Sequence, residues 1–195
     1  MQPIENCTAV ILTGGESKRM GSDKAATELQ GKTLLRHVIE KIEPLFSELM
    51  ISVHELRTDL KQKQIIDDSE GRGPMVGIKR ALEEAKTDWV FVIACDMPFV
   101  STALIQQLAN KRESFDAVVP YVHDRPQPLF GFYSKTCLAK MEARMKQGQR
   151  SMIRLLAELD TYMLSEKQVK LIDPELRSLM SLDTEEDVNK MENNT

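Results

Sequence analysis

The segment 12–24 carries the clearest chemical pattern in the chain and has the sequence LTGGESKRMGSDK. The adjacent glycines Gly14 and Gly15 permit a tight turn in which backbone N–H groups approach an anion closely. Within nine residues of Gly15 follow three cationic side chains, those of Lys18, Arg19 and Lys24. A nucleoside triphosphate requires backbone donors without side-chain bulk, together with fixed positive charge. The segment therefore predicts a loop that binds the phosphates of a nucleotide.

Two familiar phosphate-binding patterns do not match this loop. In a Walker A motif the second glycine stands five residues after the first and lysine follows it, whereas Gly21 is six residues after Gly15 and Ser22 follows it. The dinucleotide motif G-x-G-x-x-G fails because Gly14 and Gly15 are adjacent. These differences argue against an ordinary ATPase or dehydrogenase. The alternative, an exposed loop without function, is disfavoured by the position directly after a buried strand.

Two aspartates follow further predicted strands. Asp96 comes directly after the apolar run 89–95, and a carboxylate there suits Mg²⁺, which takes few protein ligands and otherwise binds water and phosphate oxygens. An aspartate close before a proline is also common in turns, which is the structural alternative for Asp96. Asp68 lies in an acidic, glycine-rich loop after the strand-like pair at 65–66. Its structural alternative is an acid that is simply solvated.

Together with these aspartates, the loop resembles the L-[AT]-G-G-x3-R-M-G-x-D-K signature of nucleotidyltransferases. Within that superfamily the chain most resembles the molybdenum cofactor guanylyltransferase family, bacterial enzymes that make molybdopterin guanine dinucleotide. Further matching motifs follow in the expected order over most of the chain: GKTL at 31–34, GPMVG at 73–77, CDMP at 95–98 and QPL at 127–129. The first motif is specific to the superfamily, and the set together favours the molybdopterin branch.

The resemblance implies transfer of GMP from GTP to the terminal phosphate of the molybdenum–molybdopterin cofactor. Pyrophosphate is released and the guanine dinucleotide cofactor is formed. Mg²⁺ is the implied cofactor, held by Asp96, which with Arg19 and Lys24 forms the implied catalytic set. The nucleotide-binding residues implied by the resemblance are Leu12, Thr13, Gly14, Gly15, Lys24, Asp68 and Asp96. Asp68 matches the guanosine-binding aspartate of the family, although a shift of one residue leaves Asp67 as the alternative.

Three residues depart from the family pattern. Ser181 and Asp183 replace two asparagines of a C-terminal segment, N-x-N-T-x-E-[DE], that is associated with the acceptor. His54 stands where related enzymes often have an asparagine near the base. A related nucleotidyltransferase that uses CTP or another phosphorylated acceptor therefore stays open as an alternative, as does a catalytically inactive nucleotide-binding protein. His123, in a loop that resembles the acceptor-facing loop of the family, is predicted to be a surface residue.

Short, β-branched apolar stretches alternate with segments of helical periodicity, and these elements must position the residues above. The alternation predicts an α/β protein: a three-layer α/β/α sandwich around a Rossmann-like, mainly parallel sheet, which the resemblance specifies as the nucleotide-diphospho-sugar transferase type. Strands are predicted at 7–12, 49–53, 65–66, 89–95, 115–121, 129–133 and 169–172. Helices are predicted at 33–46, 75–85, 101–108, 135–146 and 151–159, with a last short helix from Thr184. Some antiparallel strands are expected in the second half, where the alternation is less strict.

Length and composition bound the remaining possibilities. A chain of 195 residues predicts one domain over 1–195, with a polar tail from about residue 190, and the resemblance implies that it is a nucleotidyltransferase domain. The 42% hydrophobic and 29% charged residues exclude a disordered chain, a collagen-like fibre and a coiled-coil rod. The net charge is −4, whereas proteins that bind nucleic acids are typically rich in basic residues. The charge therefore predicts no nucleic-acid partner, while the resemblance implies GTP and molybdenum–molybdopterin as substrates and potential contacts with proteins that deliver or receive the cofactor.

The apolar runs and the cysteines indicate a cytoplasmic protein. The run 89–95 is much shorter than the roughly 20 residues of a membrane-spanning helix, so no membrane partner is expected. The three cysteines form neither a disulfide framework nor a CxxC metal pair. Cys7 and Cys95 are predicted to be buried thiols in strands. We expect a monomer or a weak oligomer.

Overall fold

The computed structural model describes residues 2–13, 24–66 and 73–193. The strands in these residues are β1 Cys7–Leu12, β2 Glu28–Leu29, β3 Lys32–Thr33, β4 Glu48–Val53, β5 Lys63–Ile66, β6 Trp89–Ala94, β7 Ala117–Val122, β8 Arg125–Pro126, β9 Phe130–Ser134 and β10 Thr161–Ser165. The α-helices are α1 Leu34–Ile42, α2 Pro74–Glu84, α3 Thr102–Ala109, α4 Cys137–Lys146, α5 Met152–Leu156, α6 Glu166–Lys170 and α7 Glu185–Asn193. Short 3-10 helices lie at Lys24–Ala26, Glu43–Leu45, Arg112–Ser114 and Arg177–Leu179.

Eight of the described strands form one sheet in the order β10-β7-β9-β6-β1-β4-β5, with β8 paired to β7. Neighbouring strands from β5 to β6 pair in parallel, and so do β10 and β7. Strand β9 runs antiparallel between β6 and β7. The predicted mainly parallel sheet is confirmed, together with the antiparallel pairing expected in the second half. Strands β2 and β3 form a separate hairpin.

Strand β1 shows why the sheet forms the middle layer. All six of its residues are buried, because alternate side chains point to opposite faces and both faces are covered. Ala9 and Ile11 belong to the core cluster shared with α1 and α3. Val10 and Leu12 belong to the cluster shared with α2, α4 and α5. This arrangement confirms the predicted three-layer sandwich.

Local signals place the helices that flank the sheet. Helix α1 begins after Thr33, whose side chain accepts a hydrogen bond from the N–H of Arg36, and its buried residues recur with helical spacing. Ser101 caps α3 in the same way through the N–H of Leu104, as predicted. Helix α7 begins directly after Thr184, as predicted, and runs to Asn193, so that most of the expected polar tail is helical.

One predicted strand is wrong. The sequence predicts an extended stretch at 169–172, but residues Glu166–Lys170 form α6 and the strand that pairs with β7 is Thr161–Ser165. The side-chain oxygen Oε1 of Gln168 accepts hydrogen bonds from the backbone N–H and the hydroxyl of Ser165, at 3.1 and 2.7 Å. A serine three residues before a glutamine is the sequence signal of a helix start, and here it outweighs the apolar run that follows.

The prediction of buried thiols is confirmed, although only Cys7 lies in a strand and Cys95 lies in the turn directly after β6. Cys7, Cys95 and Cys137 are all buried and reduced. Burial raises the pKa of the Cys7 thiol to about 12, and burial with the nearby Asp116 carboxylate raises that of Cys137 to about 12. These two thiols therefore stay protonated at neutral pH. In the described part of the chain, none of the helices combines the length and the apolar character needed to cross a membrane.

Candidate active site

Three parallel strands end side by side at the carboxyl edge of the sheet, which is where ligands bind in open α/β sheets. Leu12 at the end of β1 lies opposite Ser52 of β4 on one side and Ala94 of β6 on the other. Beyond Leu12, the backbone N–H and the hydroxyl of Thr13 both donate to the carbonyl of Ser52, at 3.1 and 2.6 Å. The Cys95 N–H donates to the Leu12 carbonyl at 3.0 Å. The predicted phosphate loop thus starts next to the end of β6.

Asp96, the predicted metal ligand, lies at this edge directly after β6. It is partly exposed, between the buried residues Cys95 and Met97. Its backbone carbonyl accepts a hydrogen bond from the Leu182 N–H at 2.9 Å. The C-terminal segment that the resemblance associates with the acceptor therefore lies against the predicted metal ligand, although 85 residues separate Asp96 from Ser181 in the chain.

Apolar packing fixes this C-terminal segment on the β2–β3 hairpin. Leu182 and Val188 form a buried cluster with Leu29 and Leu34, and Phe99 packs against it. Sequence reasoning did not connect the residues after Asp96 with the C-terminus. The apolar residues Leu182 and Val188 in an otherwise polar segment indicate that the segment packs on the domain, but they do not indicate where.

The segment 127–129, another of the matching motifs, crosses from β7 to the end of β6. The Gln127 N–H donates to the Pro120 carbonyl at 2.8 Å, and the Ala94 N–H donates to the Leu129 carbonyl at 3.1 Å. The hydroxyl of the fully buried Tyr133 donates to the Pro128 carbonyl at 2.7 Å. Burial holds the pKa of Tyr133 well above its usual value, so this hydroxyl remains a donor.

Several predicted site residues lie outside the described part of the chain. Gly14, Gly15 and Arg19 belong to 14–23, and Asp68 with its alternative Asp67 belongs to 67–72. For Lys24 the structure describes the backbone, which begins the 3-10 helix Lys24–Ala26. The described site residues Leu12, Thr13 and Asp96 share the carboxyl edge. Ile66, the last described residue before 67–72, pairs with Val53 at the same edge.

Helix α2 begins at this part of the molecule. Gly73 precedes it with φ of +120°, a conformation that residues with a side chain rarely adopt, and Pro74 occupies the first helical position. The unpaired N–H groups and the dipole at such a helix start favour anions. Met75 and Ile78 pack its inner face on the sheet.

The residues that depart from the family pattern are accessible. His54 follows the end of β4 and is exposed, and Ser181 and Asp183 flank Leu182 and are exposed too. His123 is exposed, as predicted, and its backbone N–H donates to a carboxylate oxygen of Glu166 at 2.9 Å. Among residues 2–13, 24–66 and 73–193, no group of three or more acidic, histidine or cysteine side chains could hold a metal ion.

The layer order and the parallel strand ends define a Rossmann-like α/β domain. The chain is similar in fold to 2-C-methyl-D-erythritol 4-phosphate cytidylyltransferase from Thermus thermophilus, with a TM-score of 0.68 and 17% identity over 95% of this chain and 97% of that one. The sheet is thus of the predicted nucleotide-diphospho-sugar transferase type. At this low identity the likeness shows the fold alone.

Sequence relatives narrow the class to one family. Residues 9–162 match the model of the MobA-like NTP transferase domain, and the chain belongs to this family. It is 33% identical to the molybdenum cofactor guanylyltransferase of Syntrophotalea carbinolica over 187 residues, which cover 94% of this chain and 89% of that protein. It resembles the crystal structure of molybdopterin-guanine dinucleotide biosynthesis protein A from Archaeoglobus fulgidus with a TM-score of 0.84 and 27% identity, over 96% and 97% of the two chains.

Proposed function

We propose that this chain is a molybdenum cofactor guanylyltransferase, which transfers GMP from GTP to the terminal phosphate of molybdenum–molybdopterin. The observation that carries the proposal is the shared carboxyl edge, where Leu12 and Thr13 lead into the predicted phosphate loop beside Asp96. Family membership and relatives named for this activity support it. Because the proposed reaction consumes GTP, we infer that it takes place in the cytoplasm.

The reaction requires alignment and charge neutralisation, and no covalent enzyme intermediate. An oxygen of the acceptor's terminal phosphate forms a bond to the α-phosphorus of GTP. The bond from that phosphorus to the oxygen bridging to the β-phosphate breaks, and pyrophosphate leaves with the electron pair. Backbone groups of residues 12–15 would hold the nucleotide, with Asp68 near the guanosine. Arg19 and Lys24 would stabilise negative charge on the transferred and leaving phosphates.

The residues present suit a magnesium ion at Asp96. A single, partly exposed carboxylate at the sheet edge matches the preference of Mg²⁺ for one or two protein carboxylates, with water and phosphate oxygens as its other ligands. A magnesium ion held there would neutralise charge on the phosphates. The Leu182–Asp96 backbone hydrogen bond and the buried neighbours Cys95 and Met97 would orient this aspartate.

Nucleotide selectivity tests the guanylyl assignment directly. The experiment measures thermal stabilisation by GTP, CTP, ATP and UTP with Mg²⁺, for the wild type and for Asp96→Asn. A nucleotide at a hundred times its Kd stabilises the folded state by about 2.7 kcal/mol. We expect a shift for GTP that is larger than for the other nucleotides and is weakened in Asp96→Asn. Pyrophosphate release with GTP and molybdenum–molybdopterin then tests the acceptor.

Other outcomes would select among the alternatives. A shift specific for CTP would retain the chemistry and change the product. Pyrophosphate release with a different phosphorylated acceptor, and none with molybdenum–molybdopterin, would retain the nucleotide and overturn the acceptor; the exposed Ser181 and Asp183 mark where such a difference would arise. Nucleotide binding without pyrophosphate release with any acceptor would indicate an inactive nucleotide-binding protein.

A further inference from the structure

A second concave surface lies beside the site described above. A cleft of about 430 Å³ opens between the β2–β3 hairpin, α1, the start of α3 and residues 172–178. We call it the hairpin cleft; the lining residues used below are His37, Lys41, Phe99, Asp173, Arg177 and Ser178. Its volume is within the range of small-molecule sites, which is about 300–1,000 Å³.

Hydrogen bonds and ring contacts hold the walls of the hairpin cleft in place. The carboxylate of Asp173 accepts the backbone N–H groups of Arg177 and Ser178, at 3.1 and 2.8 Å. The hydroxyl of Ser178, which is 1% exposed, accepts the N–H of Ser101 at 3.1 Å. The guanidinium of Arg177 lies 4.8 Å from the centre of the Phe99 ring. The cleft is therefore preformed, which lowers the entropic cost of binding a ligand.

The opposite side of the cleft is fixed in the same way. A ring nitrogen of His37, Nε2, is 2.8 Å from the carbonyl of Leu29, which ties α1 to the hairpin. One turn further along α1, the exposed side chain of Lys41 lines the cleft. Two cations, Lys41 and Arg177, thus reach the same space from two different elements.

The charges in the hairpin cleft favour an anion. In the described part of the chain neither Lys41 nor Arg177 forms an ion pair with a carboxylate, whereas Lys79 on α2 pairs with Glu83 at 2.7 Å. The one acidic lining residue is Asp173, whose two oxygens already accept backbone N–H groups. Cationic side chains that have no acidic partner can bind carboxylate and phosphate groups.

We propose that the hairpin cleft binds a small organic anion with at least two anionic oxygen groups, one for Lys41 and one for Arg177. At about 430 Å³, the cleft is larger than a single inorganic anion requires. The shared chemistry is that of carboxylate and phosphate groups. This inference does not depend on the proposed transfer reaction.

Calorimetric titration with citrate and with inorganic phosphate tests the proposal, at constant ionic strength and without divalent metals, because citrate chelates them. Citrate carries three carboxylates and so offers one to each cation, whereas phosphate offers a single anionic group. We expect citrate to bind in the millimolar range or tighter, and more tightly than phosphate. Lys41→Gln and Arg177→Gln should each weaken citrate binding at least tenfold. Tighter binding of phosphate than of citrate would overturn the requirement for two anionic groups.

Two matched variants distinguish binding in the hairpin cleft from binding elsewhere on the protein. Lys61→Gln removes an exposed lysine that does not line the cleft, and it should leave the Kd for citrate unchanged. Arg19→Gln changes the predicted phosphate loop and should also leave it unchanged, so the result is independent of whether the guanylyl assignment holds. Equal weakening in Lys61→Gln, loss of binding in Arg19→Gln, or no binding of citrate by the wild type would each overturn the proposal.

Discussion

At the amino edge of the main sheet, where the parallel strands begin, side chains join neighbouring elements. The Thr8 hydroxyl of β1 bonds to the Thr87 hydroxyl at 2.9 Å and to the Glu48 carboxylate of β4 at 3.2 Å, and the Asn6 amide donates to the Asp88 carboxylate at 2.8 Å. At the carboxyl edge, by contrast, the hydrogen bonds around Asp96 involve backbone groups: most join two backbone groups, and the hydroxyls of Thr13 and Tyr133 donate to backbone carbonyls. Bonds between two side chains thus join the elements at the amino edge, whereas the bonds at the carboxyl edge depend on the backbone.

Asp116 illustrates how fully the amino edge uses its side chains. One carboxylate oxygen accepts the Thr136 hydroxyl and the other accepts the Asp160 N–H at 3.1 Å, while the Asp116 carbonyl accepts the Ser134 N–H at 2.9 Å. These bonds join the start of β7 to the end of β9 and the start of β10. An acid with this many internal partners has a structural role.

The difference between the edges has a consequence for function. Where backbone groups hold a loop, the side chains of that loop are not needed to fix its path, so their identity can serve a ligand. Where side chains hold the elements together, their replacement costs stability. Changes at the carboxyl edge should therefore affect activity more than folding, and changes at the amino edge should do the reverse.

Lys24→Ala should give the largest effect. If Lys24 stabilises charge on the phosphates, its loss should lower turnover roughly 100- to 1,000-fold, the size of removing one donor to a charged transition state. The free energy of unfolding should change little. Steady-state pyrophosphate release and thermal unfolding are measured side by side, with Lys61→Ala as the control for loss of an exposed lysine. Near-normal turnover in Lys24→Ala would contradict the role of Lys24. It would also contradict the expectation that changes at the carboxyl edge affect activity more than folding.

Asp116→Ala should give the opposite result at the amino edge. It removes the acceptors of Thr136 and Asp160, and because both hydrogen bonds are exposed, each should contribute about 0.5–1.5 kcal/mol. Denaturant unfolding should show this loss, while the turnover of the folded enzyme should stay unchanged. The control is Glu142→Ala, an exposed acid on α4 that should change stability by less than about 0.5 kcal/mol. A large fall in turnover of folded Asp116→Ala would show that the two edges are not independent.

Tyr133→Phe probes a residue that reaches from the core to the carboxyl edge. The variant loses one hydrogen bond, to the Pro128 carbonyl, without leaving a large cavity. The free energy of unfolding should therefore fall by about 1 kcal/mol. Tyr121→Phe is the matched control, because no side-chain hydrogen bond joins Tyr121 to another residue in the described part of the chain. Equal stability of Tyr133→Phe and the wild type would mean that backbone contacts alone hold the segment 127–129.

The sequence predicts the sheet and its edge well because its signals there are local. A mostly apolar stretch between turn residues marks β1 and β6, and in a parallel sheet the residue after β6 lies at the carboxyl edge. The predicted position of Asp96 is correct for that reason. Its role as a metal ligand, and the roles of Gly14, Gly15, Arg19, Lys24 and Asp68, remain predictions from the resemblance.

Contacts between distant segments could not be predicted in the same way. The hydrogen bond from Leu182 to Asp96 and the stacking of Arg177 on Phe99 depend on how the chain returns after β10, and no local pattern encodes that path. Strand β10 escapes prediction because it is an edge strand of mixed polarity, in which Leu164 alone is fully buried. Helix α6 is not predicted because the apolar residues at 169–172 favour a strand over the capping signal of Ser165 and Gln168.

At neutral pH, the thiols near the amino edge should have the smallest effect on the free energy of unfolding. The pKa of Cys7 rises from 9.0 to about 12 on folding, so at pH 7 the thiol is protonated in both states and contributes nothing to the pH dependence of stability. Above pH 9 the unfolded state releases the proton first, and the free energy of unfolding should fall by about 1.4 kcal/mol per pH unit up to about pH 12 for each such thiol. Unfolding measured from pH 8 to 10.5 should therefore be less pH-dependent in Cys7→Ala than in the wild type. Identical slopes for the two proteins would mean that this end of β1 opens to solvent, and that the amino edge is less tightly closed than its hydrogen bonds indicate.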